Sequence, residues 1–165
     1  MKQVFIVRHA KAVPYGYDDD FNRKLKVPRG FNDAMKVSNE LRSYNALPDL
    51  MISSPALRAL KTAHIFAETF QYPAKDIKIE DDLYEGISTH EFVEMLRAMP
   101  EELKSVYIFG HNPTVYYLVK GLVPSFDEDM PTCSTVAIEF DTDTWESVET
   151  GTGKMAYHLM PRMFK

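Results

Sequence analysis

The residues of this chain best suited to chemistry are two arginines and two histidines: Arg8 and His9 directly after a short apolar run, Arg58 just beyond Ser53-Ser54-Pro55, and His111 within Gly110-His111-Asn112-Pro113. A neutral imidazole nitrogen can attack phosphorus. Planar guanidiniums bind phosphate oxygens bidentately and offset the charge spread over them. Together they suit phosphoryl transfer without a metal ion. Gly110, lacking a side chain, is expected to let such a group approach the backbone beside His111.

The elements that must bring these residues together follow from hydrophobic periodicity. Residues 4–7 form a continuous apolar run, read as a buried strand ending at Arg8. Residues 11–27 hold Pro14, Gly16 and the acidic run Asp18 to Asp20, which predicts a long loop with those carboxylates facing solvent. Ala34, Val37, Leu41 and Tyr44 predict an amphipathic helix from about 28 to 45, with Pro28 in its first turn. Leu50, Met51 and Ile52 predict a strand, after which Ser54-Pro55 supplies an N-cap and first-turn proline for a helix to about Phe70. Lys78 to Tyr84 reads as extended, and Ser88-Thr89-His90-Glu91 as a capping box. Val106 to Phe109 predicts another apolar strand, with Asn112 as cap and Pro113 in the first turn of the following helix. Thr135 to Phe140 and Lys154 to Met160 predict a terminal pair of strands. This alternation argues for an α/β three-layer α/β/α sandwich with a mainly parallel central sheet. In such sheets ligands bind outside the carboxyl ends of the strands, where all three polar clusters fall. Arg58, in the first turn of its helix, adds its charge to a helix end that already favours anions.

Composition narrows the function classes. A chain of 165 residues fits one domain spanning 1–165, and 45% hydrophobic with 26% charged residues is ordinary for a globular fold. A formal net charge of −5 argues against a basic face for nucleic acid or anionic lipid, so any anion must be held by local positive charge. Cys133 is the lone cysteine and is read as a small buried hydrophobe in a reducing compartment. No apolar stretch approaches the roughly 20 residues needed to span a bilayer, and the N-terminal run is too short for a signal peptide, so a cytoplasmic location is expected.

Three segments, Arg8-His9-Ala10-Lys11-Ala12, Ser53-Ser54-Pro55-Ala56-Leu57-Arg58-Ala59 and Gly110-His111-Asn112-Pro113, resemble the histidine phosphatase superfamily in order and spacing. Arg23-Lys24-Leu25 with Pro28-Arg29-Gly30 resembles the family's segment before its first long helix. Chain length, alanine after the histidine and the lack of a large insertion are most similar to SixA-type phosphohistidine phosphatases within this phosphoglycerate mutase-like group. The resemblance implies that His9 is the nucleophile, that Arg8, Arg58 and His111 bind the transferred group, and that no metal or other cofactor takes part. Lys11, Arg23 and Arg29 either extend the positive pocket towards substrate or are solvated loop charges. Glu85 falls near the place where many superfamily members carry a leaving-group acid, against which stands a surface glutamate before Gly86; Glu91 is a weaker candidate. His64, His90 and His158 are read as structural or solvated. The expected partner is a phosphorylated protein or a small phosphorylated substrate. The competing readings are a phosphatase or mutase for small phosphate esters and a non-catalytic module that binds phosphoryl groups.

Overall fold

Strand ends carry the chemistry of this chain, so the order of its strands decides what meets what. The computed structural model of the protein describes residues 1–14 and 19–164. Among them β1 (Lys2–Arg8), β2 (Leu50–Ser53), β3 (Lys78–Ile79), β4 (Ser105–Gly110), β5 (Thr135–Phe140) and β6 (Lys154–Leu159) form one sheet in the order β3-β2-β4-β1-β5-β6. β1, β2, β3 and β4 pair parallel, whereas β5 pairs antiparallel with both β1 and β6. β5 therefore runs against all the others, a mainly parallel sheet as expected. The helices are α1 (Arg29–Ser43), α2 (Leu57–Phe70), the single turn α3 (Asp82–Glu85), α4 (Thr89–Arg97) and α5 (Thr114–Leu122).

Side chains alternate along a strand, and in β1 and β4 both sets are apolar because both faces are covered. Val4, Ile6, Val106 and Ile108 pack with Phe92, Leu96, Val115 and Leu118 from α4 and α5. Phe5, Val7, Tyr107 and Phe109 pack with Val37, Leu41, Ala63 and Phe66 from α1 and α2. The rings of Phe5 and Tyr107 stack at 4.4 Å across neighbouring strands, and Phe66 meets Phe109 edge-on at 5.1 Å. Burial of each such side chain stabilises the fold by roughly 2–3 kcal/mol. These two cores clamp β1 and β4 from either side and hold their carboxyl ends in fixed register.

The helix starts depart from expectation where the chain turns away from the strand ends. Glu91 and Ser88 do form the reciprocal capping box of α4. Ser54, however, does not cap α2, which begins three residues later behind Ala56; its hydroxyl takes the Ala56 N–H at 3.2 Å and lies 2.8 Å from His111. Asn112 likewise does not cap α5 but donates to the Met130 carbonyl at 3.0 Å. Both polar side chains are used across the sheet edge instead of along the helix. The extended segment expected over Lys78 to Tyr84 is a two-residue strand followed by α3. Among the described residues no helix is long and apolar enough to cross a membrane.

Candidate active site

Register alone brings the two histidines together. Arg8 on β1 pairs with Gly110 on the adjacent β4, so the residues that follow, His9 and His111, emerge side by side with ring centroids 5.3 Å apart. The His9 N–H donates to the Gly110 carbonyl and the Cys133 N–H to the His9 carbonyl, at 3.0 and 2.9 Å. β2 ends opposite Phe109, which delivers Ser54 to the same edge. α2 is then fastened to β1 by Thr62: its hydroxyl donates to the Arg58 carbonyl at 2.8 Å and accepts the Ala10 N–H at 3.0 Å. That bond ties the helical turn carrying Arg58 to the strand end carrying His9. The missing side chain of Gly110 also serves packing, because a Cβ there would lie 3.0 Å from the Val115 side chain.

Hydrogen bonding fixes the form of the His9 imidazole. His9 Nδ1 lies 2.8 Å from the Ala10 carbonyl, which can only accept, so Nδ1 carries the proton and Nε2 holds a lone pair. Burial pushes the His9 pKa down to about 3, with the Ala10 bond opposing and the charges of His111, Arg58 and Arg8 adding to the fall. His111 is lowered to about 4, first by burial and then by Arg58. His111 Nε2 shares a hydrogen bond with the Ser54 hydroxyl, which also accepts from the Ala56 N–H, while His111 Nδ1 is buried and has no protein partner. Both histidines are thus neutral near pH 7, and His9 is a base at Nε2.

Around them lies a cavity of about 190 Å³ lined by the cations Arg8, Lys11, Arg23 and Arg58, together with His9, His111, Asn112 and Thr132. Arg58 is 5% exposed, and the Nε atoms of Arg8 and Arg58 are buried without partners. Buried donors of this kind suit an anion, whose oxygens can accept from them. Arg8 also donates from Nη1 to the Met130 carbonyl at 3.0 Å, which sets its direction. A second cleft of about 500 Å³ shares Arg8 and Asn112 with this pocket and continues past Pro113, Tyr116, Tyr117 and Met130 to Arg162. Among the described residues no three His, Cys, Asp or Glu side chains are grouped to hold a metal ion.

Of the residues singled out in the sequence, Arg8, His9, Lys11, Arg23, Arg58 and His111 line one pocket. Arg29 does not; it is exposed and pairs with Asp33 at 3.5 Å. Glu85 is exposed at the end of α3 and does not line the pocket, whereas its neighbour Tyr84 lies edge-on to His111 at 5.7 Å. The acidic run needs correction at Asp20, since Asp18 lies outside the described residues. Instead of facing solvent, Asp20 accepts from Arg58 and from the Tyr84 hydroxyl and pairs with Arg23 at 3.1 Å. Burial alone would raise its pKa, but Tyr84 and Arg58 hold it below the ordinary value. Ser54 belongs to a polar cluster that the sequence already places at this edge, whereas Thr62, Tyr84 and Thr132 are not legible there as site residues. His158 is buried against Glu128 at 2.9 Å, His90 is exposed, and His64 is partly exposed on α2. Cys133 is fully buried as expected.

The depressed histidines have a measurable consequence. Each binds a proton more readily in the unfolded chain, whose ordinary value is 6.5, than in the fold, where the values are about 3 and about 4. Their contribution is complete above about pH 6.5 and is lost as pH falls, at about 1.4 kcal/mol per pH unit for each group. Urea unfolding between pH 7 and 5 should therefore show a clearly shallower pH slope in His111→Asn than in the wild type. Equal slopes would mean that His111 is not held neutral by the fold.

No protein-family model and no curated protein matches the chain. Solved structures do. The protein histidine phosphatase SixA in complex with tungstate superposes with a TM-score of 0.84 at 26% identity, covering 99% of both chains. A SixA phosphohistidine phosphatase candidate from Agrobacterium tumefaciens gives 0.78 at 24% identity over 97% of this chain and 98% of that one. A mycobacterial glucosyl-3-phosphoglycerate phosphatase gives 0.68 at 14% identity over 94% and 97%, a likeness of fold alone.

Proposed function

We propose that the chain, which is similar to SixA over its whole length, is a phosphatase that carries a phosphoryl group on His9 and takes it from phosphohistidine in a partner protein. The observation that carries this reading is the His9 ring itself. Its Nδ1–H is committed to Ala10, and its lowered pKa keeps Nε2 unprotonated in a pocket otherwise rich in positive charge.

In this reading Arg8 and Arg58 take the phosphoryl oxygens, the neutral His111 ring gives a further polar contact, and His9 Nε2 attacks phosphorus in line with the leaving group. The P–N bond of the substrate breaks as the new P–N bond to His9 forms, and the departing imidazole keeps the proton on its other nitrogen. Water then attacks phosphorus from the vacated side, so phosphate is released and His9 regains its lone pair. Two in-line displacements give overall retention at phosphorus. Arginines supply the positive charge that Mg²⁺ gives in many phosphoryl-transfer sites, and among the described residues no carboxylate cluster is grouped for such an ion. The open cleft beside Arg8 and Asn112 gives a protein-borne imidazole a way in.

The competing reading, a phosphatase for small esters, differs in its need for an acid. An alkoxide leaving group requires a proton from a positioned group, whereas an imidazole needs far less help. Glu85 is exposed and outside the pocket, which favours the phosphohistidine substrate. Turnover of a phosphohistidine protein and of a panel of alkyl phosphates should be compared as kcat/KM in wild type and Glu85→Gln. The expected result is a clear preference for phosphohistidine, with Glu85→Gln within about twofold of wild type on it. A preference for alkyl esters, lost by roughly 100-fold in that variant, would instead identify an ester phosphatase using Glu85 as its acid.

A further inference from the structure

Arg58 reaches the pocket with both terminal nitrogens already engaged by one residue. Its Nη1 donates to the Asp20 carbonyl at 2.5 Å and its Nη2 to Asp20 Oδ2 at 3.2 Å. Because the guanidinium is planar, holding both nitrogens fixes its plane and the direction of the remaining N–H groups, including the buried, unpartnered Nε. The carboxylate that does this is braced from two further sides: the Tyr84 hydroxyl donates to Oδ2 at 2.9 Å, and Arg23 Nη2 lies 3.1 Å from Oδ1. Asp20 itself sits in a short 3-10 turn, Asp20–Asn22, that Asp19 caps by accepting the Asn22 N–H at 2.9 Å. Tyr84 is in turn held edge-on between Phe21 at 5.2 Å and His111 at 5.7 Å.

We infer that Asp20 is a positioning residue for phosphoryl transfer: braced by Tyr84, it clamps the two terminal nitrogens of Arg58 so that the free N–H edge of the guanidinium is presented to the phosphoryl group at His9. The inference rests on the proposed phosphatase function. The opposite role, an internal anion that leaves Arg58 when phosphate enters, requires breaking the Tyr84 and Arg23 contacts along with both bonds to Arg58. That fourfold loss is why the clamp stays in place. Preorganised charge of this kind matters most where reacting atoms must be aligned, and displacement of about 1 Å can cost on the order of 100-fold in rate.

The test uses the full chain, with tungstate binding by calorimetry and kcat and KM on para-nitrophenyl phosphate. Asp20→Ala should weaken tungstate binding and lower kcat, each by about tenfold or more, with Asp20→Glu recovering part of the loss and Tyr84→Phe showing a smaller one. In an Arg58→Ala background Asp20→Ala should change kcat by less than about twofold, since a residue acting through Arg58 has nothing left to act on. Tighter tungstate binding in Asp20→Ala would overturn the clamp in favour of a competing anion. Unchanged kinetics, or an equal loss with and without Arg58, would overturn it as well. Wild-type protein that neither binds tungstate nor turns over would overturn the phosphatase reading and this inference with it; a working wild type indifferent to Asp20 overturns the inference alone.

Discussion

His9→Ala is expected to abolish turnover and, with it, the trapping of an acid-labile phosphoenzyme, a loss on the order of 10⁴-fold or more in kcat. The pocket contains one other imidazole, that of His111, whose Nε2 is engaged with the Ser54 hydroxyl at 2.8 Å. Attack on phosphorus from that nitrogen would require breaking the Ser54 bond. Lys11 and the arginines are donors to phosphoryl oxygens and not nucleophiles. The backbone bonds that hold His9 in place, its N–H to Gly110 and its carbonyl to Cys133, survive the substitution, so the fold around the pocket should persist. Labelling with a phosphoryl donor followed by acid and base quenching measures the outcome directly. A labelled, acid-labile intermediate that persists in His9→Ala would move the nucleophile elsewhere.

How much of this site the sequence discloses depends on the range of each contact. Arg8, His9 and His111 are legible because each follows an apolar strand, and in a parallel sheet covered on both faces polar side chains surface only at strand ends. The capping box at Ser88 and Glu91 is legible because it is closed within three residues. Ser54 carries the same local signal for a cap, yet it is taken by His111 across 57 positions, and no local pattern announces such a competitor. Asp20 is misread for the same reason: it looks like part of a solvated acidic run until Arg58, 38 positions away, is folded against it. Glu85 and Tyr84 show a finer limit. Successive residues of a helix point about 100° apart, so in the one-turn α3 the side chain facing the pocket depends on how that turn is docked. Docking turns Tyr84 inward and leaves Glu85 outside.

Arg58→Ala is expected to lower kcat by on the order of 100-fold or more, the usual consequence of removing a preorganised charge partner from a developing phosphoryl transition state. The substitution isolates the side chain from the backbone it stands on. Thr62 holds α2 to β1 through the Arg58 carbonyl and the Ala10 N–H, and neither bond involves the guanidinium. Asp20 would lose two donors but keep Tyr84 and Arg23, so its turn has reason to remain. Arg58→Lys separates charge from geometry, because an ammonium restores the positive charge but offers no planar fork and cannot engage Asp20 and a phosphoryl oxygen in the same way. Turnover in Arg58→Lys should fall between wild type and Arg58→Ala, with melting temperatures of both variants close to wild type. Turnover in Arg58→Ala near that of the wild type would leave Arg58 a structural ion-pair partner of Asp20. A lysine variant as slow as alanine, at unchanged stability, would show that the fork, more than the charge, carries the effect. The shortfall of the lysine variant from wild type is expected from the buried, unpartnered Nε of Arg58 and from its two terminal nitrogens both resting on Asp20, since those contacts define a plane that a point charge cannot reproduce.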